Sequence, residues 1–177
     1  IAGFQYTGSQ NLEAALIREA QLENSKIIPF SGMIVSMDCS DETCIHPGKK
    51  KPVGDRFAYL ALQKTYGMSG FDAVSPLYES HEIKGNVVYV KFTKTMWGGV
   101  GHKGKSLVGF ELAGEDHKFY PAEACNHSKD SHVIEVKSDM VPVPVAVRYA
   151  FRNYAPVSIY NTFGIPASPF RTDDWDE

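Results

Sequence analysis

The sequence predicts an α/β segment followed by an antiparallel β-sandwich, and three observations carry that prediction. Strong helix formers with apolar residues at helical spacing fill two stretches before residue 70. A short apolar run, Met33, Ile34 and Val35, lies between them. Beyond residue 70, short segments of alternating apolar and polar residues recur between clusters of Gly, Asp, Asn and Pro, the period of a half-buried strand and the punctuation of turns.

Residues 11–23, NLEAALIREAQLE, predict a first helix with Asn11 as N-cap and with Leu12, Ala15, Leu16 and Ala20 on the face laid against a sheet. GMIVSMD follows. An apolar run ending at Asp38 between two helices predicts a central parallel strand covered on both faces. Pro52 suits a first helical position and Gly67 the cap beyond DRFAYLALQKTY, with Val53, Phe57, Leu60 and Ala61 as the apolar face. Helix, strand and helix are a piece of a doubly wound sheet, and only a piece. From residue 86, NVVYVKF, SLVGFELA, HVIEVKS, VPVAVRYAF and VSIYNTF predict the strands of the sandwich. The change in character divides the chain into 1–70 and 71–177.

Composition narrows the function classes. With 43% hydrophobic and 22% charged residues in 177, the chain reads as a soluble globular protein. A formal charge of −3 and a single basic run, Lys49 to Lys51, argue against nucleic acid as a partner, because phosphate binding needs clustered cations; the run reads as a solvated helix entry. No apolar stretch approaches the roughly 18 residues that cross a bilayer, so no membrane partner is expected. Cys39, Cys44 and Cys125 have neither disulfide-scaffold nor zinc-site spacing. Free, mostly buried thiols are expected, with a Cys39–Cys44 pair as the other arrangement.

Asp38, Asp41, Glu42 and His46 fall in the loop leaving the apolar run, at the strand end where open α/β sheets collect ligands. A histidine whose tautomer is held by a carboxylate can act as general base toward a serine; the same residues also fit a capped loop histidine. His81, His102, His117, His127 and His132 lack metal-site spacing. MWGGVGHKG, residues 96–104, has glycines but no Walker order and reads as a hairpin loop. Arg148, Arg171, Asp173 and Trp175 suggest buried ion pairing and docking of the C-terminal tail, and Arg18 and Gln21 either brace the site or lie on the helix surface.

GMIVSMD together with IHPGKKKPVGDRFAYLALQKTYG resembles the SGNH-type carbohydrate esterases of the sialate O-acetylesterase group, whose IHP motif carries the catalytic histidine. IAGFQY and LIREAQ, and downstream GFELAGEDHKFYPAEA, VPVAVRYAF and GIPASPFRTDDW, resemble the same group in the same order, from residue 1 to about 175. The resemblance implies the C-terminal part of an SGNH-type, flavodoxin-like three-layer α/β domain followed by the sandwich. It implies His46 as the base of a serine-type hydrolase acting on acetylated sugars, with Asp41 or Asp38 orienting the imidazole. Relatives place Asp where this chain has Cys44 or Thr43. Trp97 becomes a sugar-stacking candidate. Ser9 reads as a loop residue, so the nucleophilic serine is expected in an N-terminal segment outside this chain, which opens on Ile as a fragment or one part of a nicked protein. No metal or organic cofactor is expected, since a serine hydrolase needs none. A complementary N-terminal segment or a homo-oligomer is expected to cover the unpaired sheet edges, in a periplasmic or secreted protein. The other reading is a non-catalytic carbohydrate-binding or structural β-sandwich.

Overall fold

The computed structural model describes residue 3 and residues 12–93, 101–102 and 107–175. In β2 (Val87–Phe92) the side chains of Val88, Val90 and Phe92 are buried while Val87, Tyr89 and Lys91 are partly exposed, as a strand with one face on a core requires. β2 pairs antiparallel with β1 (Tyr78–Lys84) and with β7 (Val133–Lys137). β6 (Glu123–Asn126) completes a four-stranded sheet of order β1-β2-β7-β6. A second sheet is built from β4 (Phe110–Ala113), β5 (Phe119–Pro121), β8 (Ala146–Tyr149) and β10 (Phe170–Arg171), in the order β10-β8-β4-β5. The two-residue strands β3 (Gly101–His102) and β9 (Ile159–Tyr160) pair with each other.

The sheets share one core. Val88, Val90 and Phe92 from the first lie in the same cluster as Phe110, Leu112, Val147, Tyr149 and Phe170 from the second. Tyr149 is its hub, with its ring 4.8 Å from Phe110 and 6.3 Å from Phe92. Burial pushes its phenol up to about 12, and its oxygen accepts hydrogen bonds from the amides of Ser158 and Ile159, both at 3.0 Å. The antiparallel sandwich expected beyond residue 86 is formed, in shorter strands than the sequence segments. β1 is an addition. Its segment YESHEIK carries no apolar face of its own, and pairing with β2 is what makes it a strand.

Two helices, α1 (Glu13–Ile27) and α2 (Lys50–Lys64), flank the sandwich. The buried stripe of α1 is Leu12, Ala14, Ala15 and Arg18, while Leu16 is 41% exposed and Ala20 is exposed, so the predicted face is rotated. The cause is how the helix docks. Asn153, beyond β8, accepts from the Ala14 amide at 2.7 Å and donates to the Glu13 carboxylate at 2.7 Å. Arg18 donates to the carbonyls of Arg152 and Asn153, and Glu19 takes both forks of Arg171 at 2.9 Å. The cap therefore comes from a distant residue; Asn11, the expected cap, lies outside the described residues. Arg18 is a tether to the sandwich, not a helix-surface residue.

α2 starts two residues before Pro52, and Gly67, with φ of 66°, follows it in the left-handed region. Arg56 and Leu60 form its buried face, while Phe57 is 55% exposed and Ala61 is exposed. Leu60 packs over Gly32, where an added Cβ would come within 2.9 Å of its Cδ2.

The strand expected at Met33–Val35 is corrected. Residues 31–36 pair with no strand among the described residues and lead into a 3-10 turn, Met37–Cys39. A strand exists only through a partner's backbone, and the Val35 carbonyl instead takes the Arg56 guanidinium at 2.8 Å. Val35 and Met37 nevertheless join the sandwich core. All the cysteines are free; Cys39 alone is buried, because Cys44 sits in a loop and Cys125 on edge strand β6. Among the described residues no helix is long and apolar enough to cross a membrane.

Candidate functional site

The loop from residue 40 to 48 begins at a fixed root. Arg56 faces the 3-10 turn from α2 because Leu60, one turn further on, is buried on the same side. Its Nη1 and Nη2 donate to Asp38 Oδ1 and Oδ2, both at 2.6 Å, a bidentate pair. Ser40 Oγ donates to the carbonyls of Met37 and Ser36 and accepts the Gly3 amide at 2.8 Å. Burial and then the Asp38 charge push the Cys39 thiol up, so it is inert at neutral pH.

The loop itself is open. Asp41 and Cys44 form an isolated antiparallel bridge, and Asp41 Oδ1 accepts from the Thr43 amide at 2.8 Å and the Thr43 hydroxyl at 2.6 Å. Those hydrogen bonds, the hydroxyl's first, hold the Asp41 carboxyl below its ordinary value. His46 is exposed. Cys44 Sγ donates to its carbonyl at 3.5 Å, and no hydrogen bond to its ring is made among the described residues.

Of the residues singled out from the sequence, Asp38, Asp41 and His46 share this loop and its root, but neither carboxylate reaches the imidazole. Asp38 has both oxygens on Arg56, and Asp41 is turned back on Thr43. Trp97 and Ser9 lie outside the described residues. No group of three or more His, Cys, Asp or Glu side chains among the described residues is placed to hold a metal ion.

Between the two roots of the loop lies a cavity of about 470 Å³. Asp38 and Cys39 line it from the start of the loop, Lys49 and Pro52 from its end, and Asp55, Arg56 and Tyr59 from α2. The far wall comes from the end of the sandwich: Tyr160 of β9 and the turn Phe163–Ile165. Burial, and then the Asp38 charge, push the Tyr160 phenol up to about 12, which leaves it protonated at neutral pH. Asn161 fixes the turn, accepting from the amides of Phe163 at 3.0 Å and Ile165 at 2.9 Å while donating to the carbonyls of Asp72 and Val74. Sequence reasoning missed Tyr59, Asp55, Tyr160 and Phe163. The last two lie more than a hundred residues along the chain from Asp38 and Arg56, and no local spacing signals that they line the same cavity.

A second cavity, of about 380 Å³, is lined by Gln21, Asn24, Ile28, Met33, Val53 and Phe57 between the helices. Gln21 therefore faces this groove and not the His46 loop.

No family model matches the chain, and no curated protein matches it. Among solved structures it is similar to a crystal structure described as a novel carbohydrate acetylesterase from Xanthomonas citri, with 32% sequence identity and a TM-score of 0.87 over 98% of this chain. The chain spans 40% of the length of that structure.

Proposed function

We propose that this chain is part of a carbohydrate acetyl-ester hydrolase of the SGNH type, in which His46 is the general base. The observation that carries the reading is the likeness to a carbohydrate acetylesterase along nearly the whole chain, at 32% identity. The exposed imidazole, with no hydrogen bond to its ring among the described residues, on a loop with a rigid root and a cavity between its two ends supports it: such a ring is free to meet a hydroxyl brought from outside the chain.

In this reading a serine from a complementary N-terminal segment donates its proton to His46 while its oxygen bonds to the acetyl carbonyl carbon. Collapse of the tetrahedral intermediate breaks the bond to the sugar oxygen, which leaves with the proton returned by His46. Water, deprotonated by the same imidazole, then adds to the acetyl-serine; the bond to the serine oxygen breaks, releasing acetate, and His46 returns the proton to the serine. Asp41 is the orienting acid, since Asp38 is spent on Arg56; it has to give up its turn with Thr43 to reach the ring. The complementary segment also covers apolar surface left open on the helical side, where Ile27, Phe30 and Phe57 stand exposed. The substrate is an acetyl ester of sialic acid or a similar sugar, met in the periplasm or outside the cell.

Acetate release by the complete protein, from O-acetylated sialosides and from other acetylated glycans, tests this. His46→Gln is expected to lower kcat by about 10²–10⁴-fold with an unaltered melting curve. Parent rates in that variant, or no release from any acetylated sugar, would remove the reading.

A further inference from the structure

The cavity at the roots of the His46 loop has the chemistry of a sugar subsite, and we propose that it binds a glycosyl residue adjoining the one that carries the ester. The place of this subsite in catalysis rests on the esterase reading above; its chemistry stands on the cavity alone.

Aromatic rings from distant parts of the chain border the cavity: Tyr59 of α2, Tyr160 of β9 and Phe163 of the following turn. Tyr59 and Phe163 are 46% and 44% exposed, although rings of that size gain by being covered. A pyranose offers what such rings accept, a face of C–H groups set against the electron-rich face of the ring, with hydroxyls around its edge. Those hydroxyls need donors and acceptors on the rim. Asp55 Oδ2 takes Lys51 at 2.7 Å, and its Oδ1 makes no hydrogen bond among the described residues. Lys49 forms no ion pair among the described residues, so its ammonium is available to a sugar oxygen.

The walls are already in place. Asn161 locks the Phe163 turn through the bonds described above, Arg56 and Asp38 hold the floor, and the ring of Tyr59 rests 5.7 Å from that of Phe71. A ligand entering here orders little of the protein, and ordering is a main cost of weak polar binding. Exposed rings on a prearranged rim of mixed polarity fit an oligosaccharide.

The test compares two kinds of substrate in the complete protein: acetylated oligosaccharides, namely O-acetylated sialosyl-oligosaccharides and acetylated cello-, xylo- and manno-oligosaccharides, and para-nitrophenyl acetate, which has no glycosyl residue to place in the cavity. Tyr59→Ala and Phe163→Ala should each raise KM for the preferred oligosaccharide roughly fivefold to tenfold and leave para-nitrophenyl acetate turnover at the parent value. Tyr59→Phe, which keeps the ring, should keep the parent KM. Unchanged oligosaccharide KM in both alanine variants overturns the subsite, as does an equal loss on both substrates. Calorimetric titration with the deacetylated oligosaccharides reads the cavity without chemistry. Binding that weakens in the alanine variants upholds the subsite even if no acetyl ester is cleaved, whereas no binding by the parent protein overturns it.

Discussion

Two arginine–aspartate pairs, alike in chemistry, stand in unlike regions of the molecule. Arg148 and Asp173 meet at 2.6 and 2.9 Å beneath the C-terminal tail, on the face of β8 opposite Val147 and Tyr149, with both side chains 1% exposed and the guanidinium 3.8 Å from the Phe119 ring centroid. Arg56 and Asp38 meet at 2.6 Å through both forks, but on the wall of a cavity, with side chains 6% and 16% exposed. The first pins the C-terminal tail to β8, where Trp175 also stacks on His117 at 3.8 Å. The second pins the root of a loop that stays open. Burial of an ion pair adds little net stability, yet removing one partner strands the other charge, and the penalty depends on whether water can reach it. The pairs therefore separate a buried attachment of the tail from the anchored root of an exposed loop.

The contrast yields an ordered set of outcomes. Asp173→Ala should cost about 3–5 kcal/mol of stability, the penalty for a buried charge left without its partner, read by urea denaturation. Asp38→Ala should cost less, about 1–3 kcal/mol, because cavity water can solvate Arg56 and the Val35 carbonyl remains to it; an equal or larger loss would break the contrast. Asn153→Ala should remove about 1 kcal/mol and speed amide exchange at Ala14, where α1 is joined to the sandwich.

A pH effect comes next. Burial holds the His81 imidazole below its ordinary value, and its Nδ1 lies 2.7 Å from the Tyr78 hydroxyl. The unfolded chain therefore binds the proton more readily. The contribution is intact above the unfolded value of about 6.5 and is lost as pH falls through the lower folded value. Melting temperatures should decline across that window, and less steeply in His81→Gln. Smallest of all, Thr43→Ala should let the Asp41 carboxyl rise toward its ordinary value, read by NMR titration, with at most a slight fall in melting temperature at neutral pH.

How much of this could be read in advance depended on the range of the cause. The period of Val88, Val90 and Phe92 is set by the strand itself, so the sandwich was legible, as were two helices rich in helix formers. The face of α1 was not, because Asn153 and Arg171 decide how the helix lies, and no local pattern in NLEAALIREAQLE encodes them. Met33–Val35 read as a strand because its composition suits one, but composition supplies no partner. At the site, the loop carrying Asp38, Asp41 and His46 was visible as a cluster of chemistry. The claim of Arg56 on Asp38 was not, since DRFAYLALQKTY places an arginine on the buried face where its spacing suggested Phe57, Leu60 and Ala61.

The cap on α1 has a consequence in time. Asn153 follows Ala14 by 139 residues, so on the ribosome the first helix emerges with its N-terminal amides unmet and waits for almost the whole sandwich to be made. A long closure of this kind is slow to form and is made late. The first helix is thus among the last pieces to settle, and a chain stalled before β8 would present it loose to whatever else is nearby.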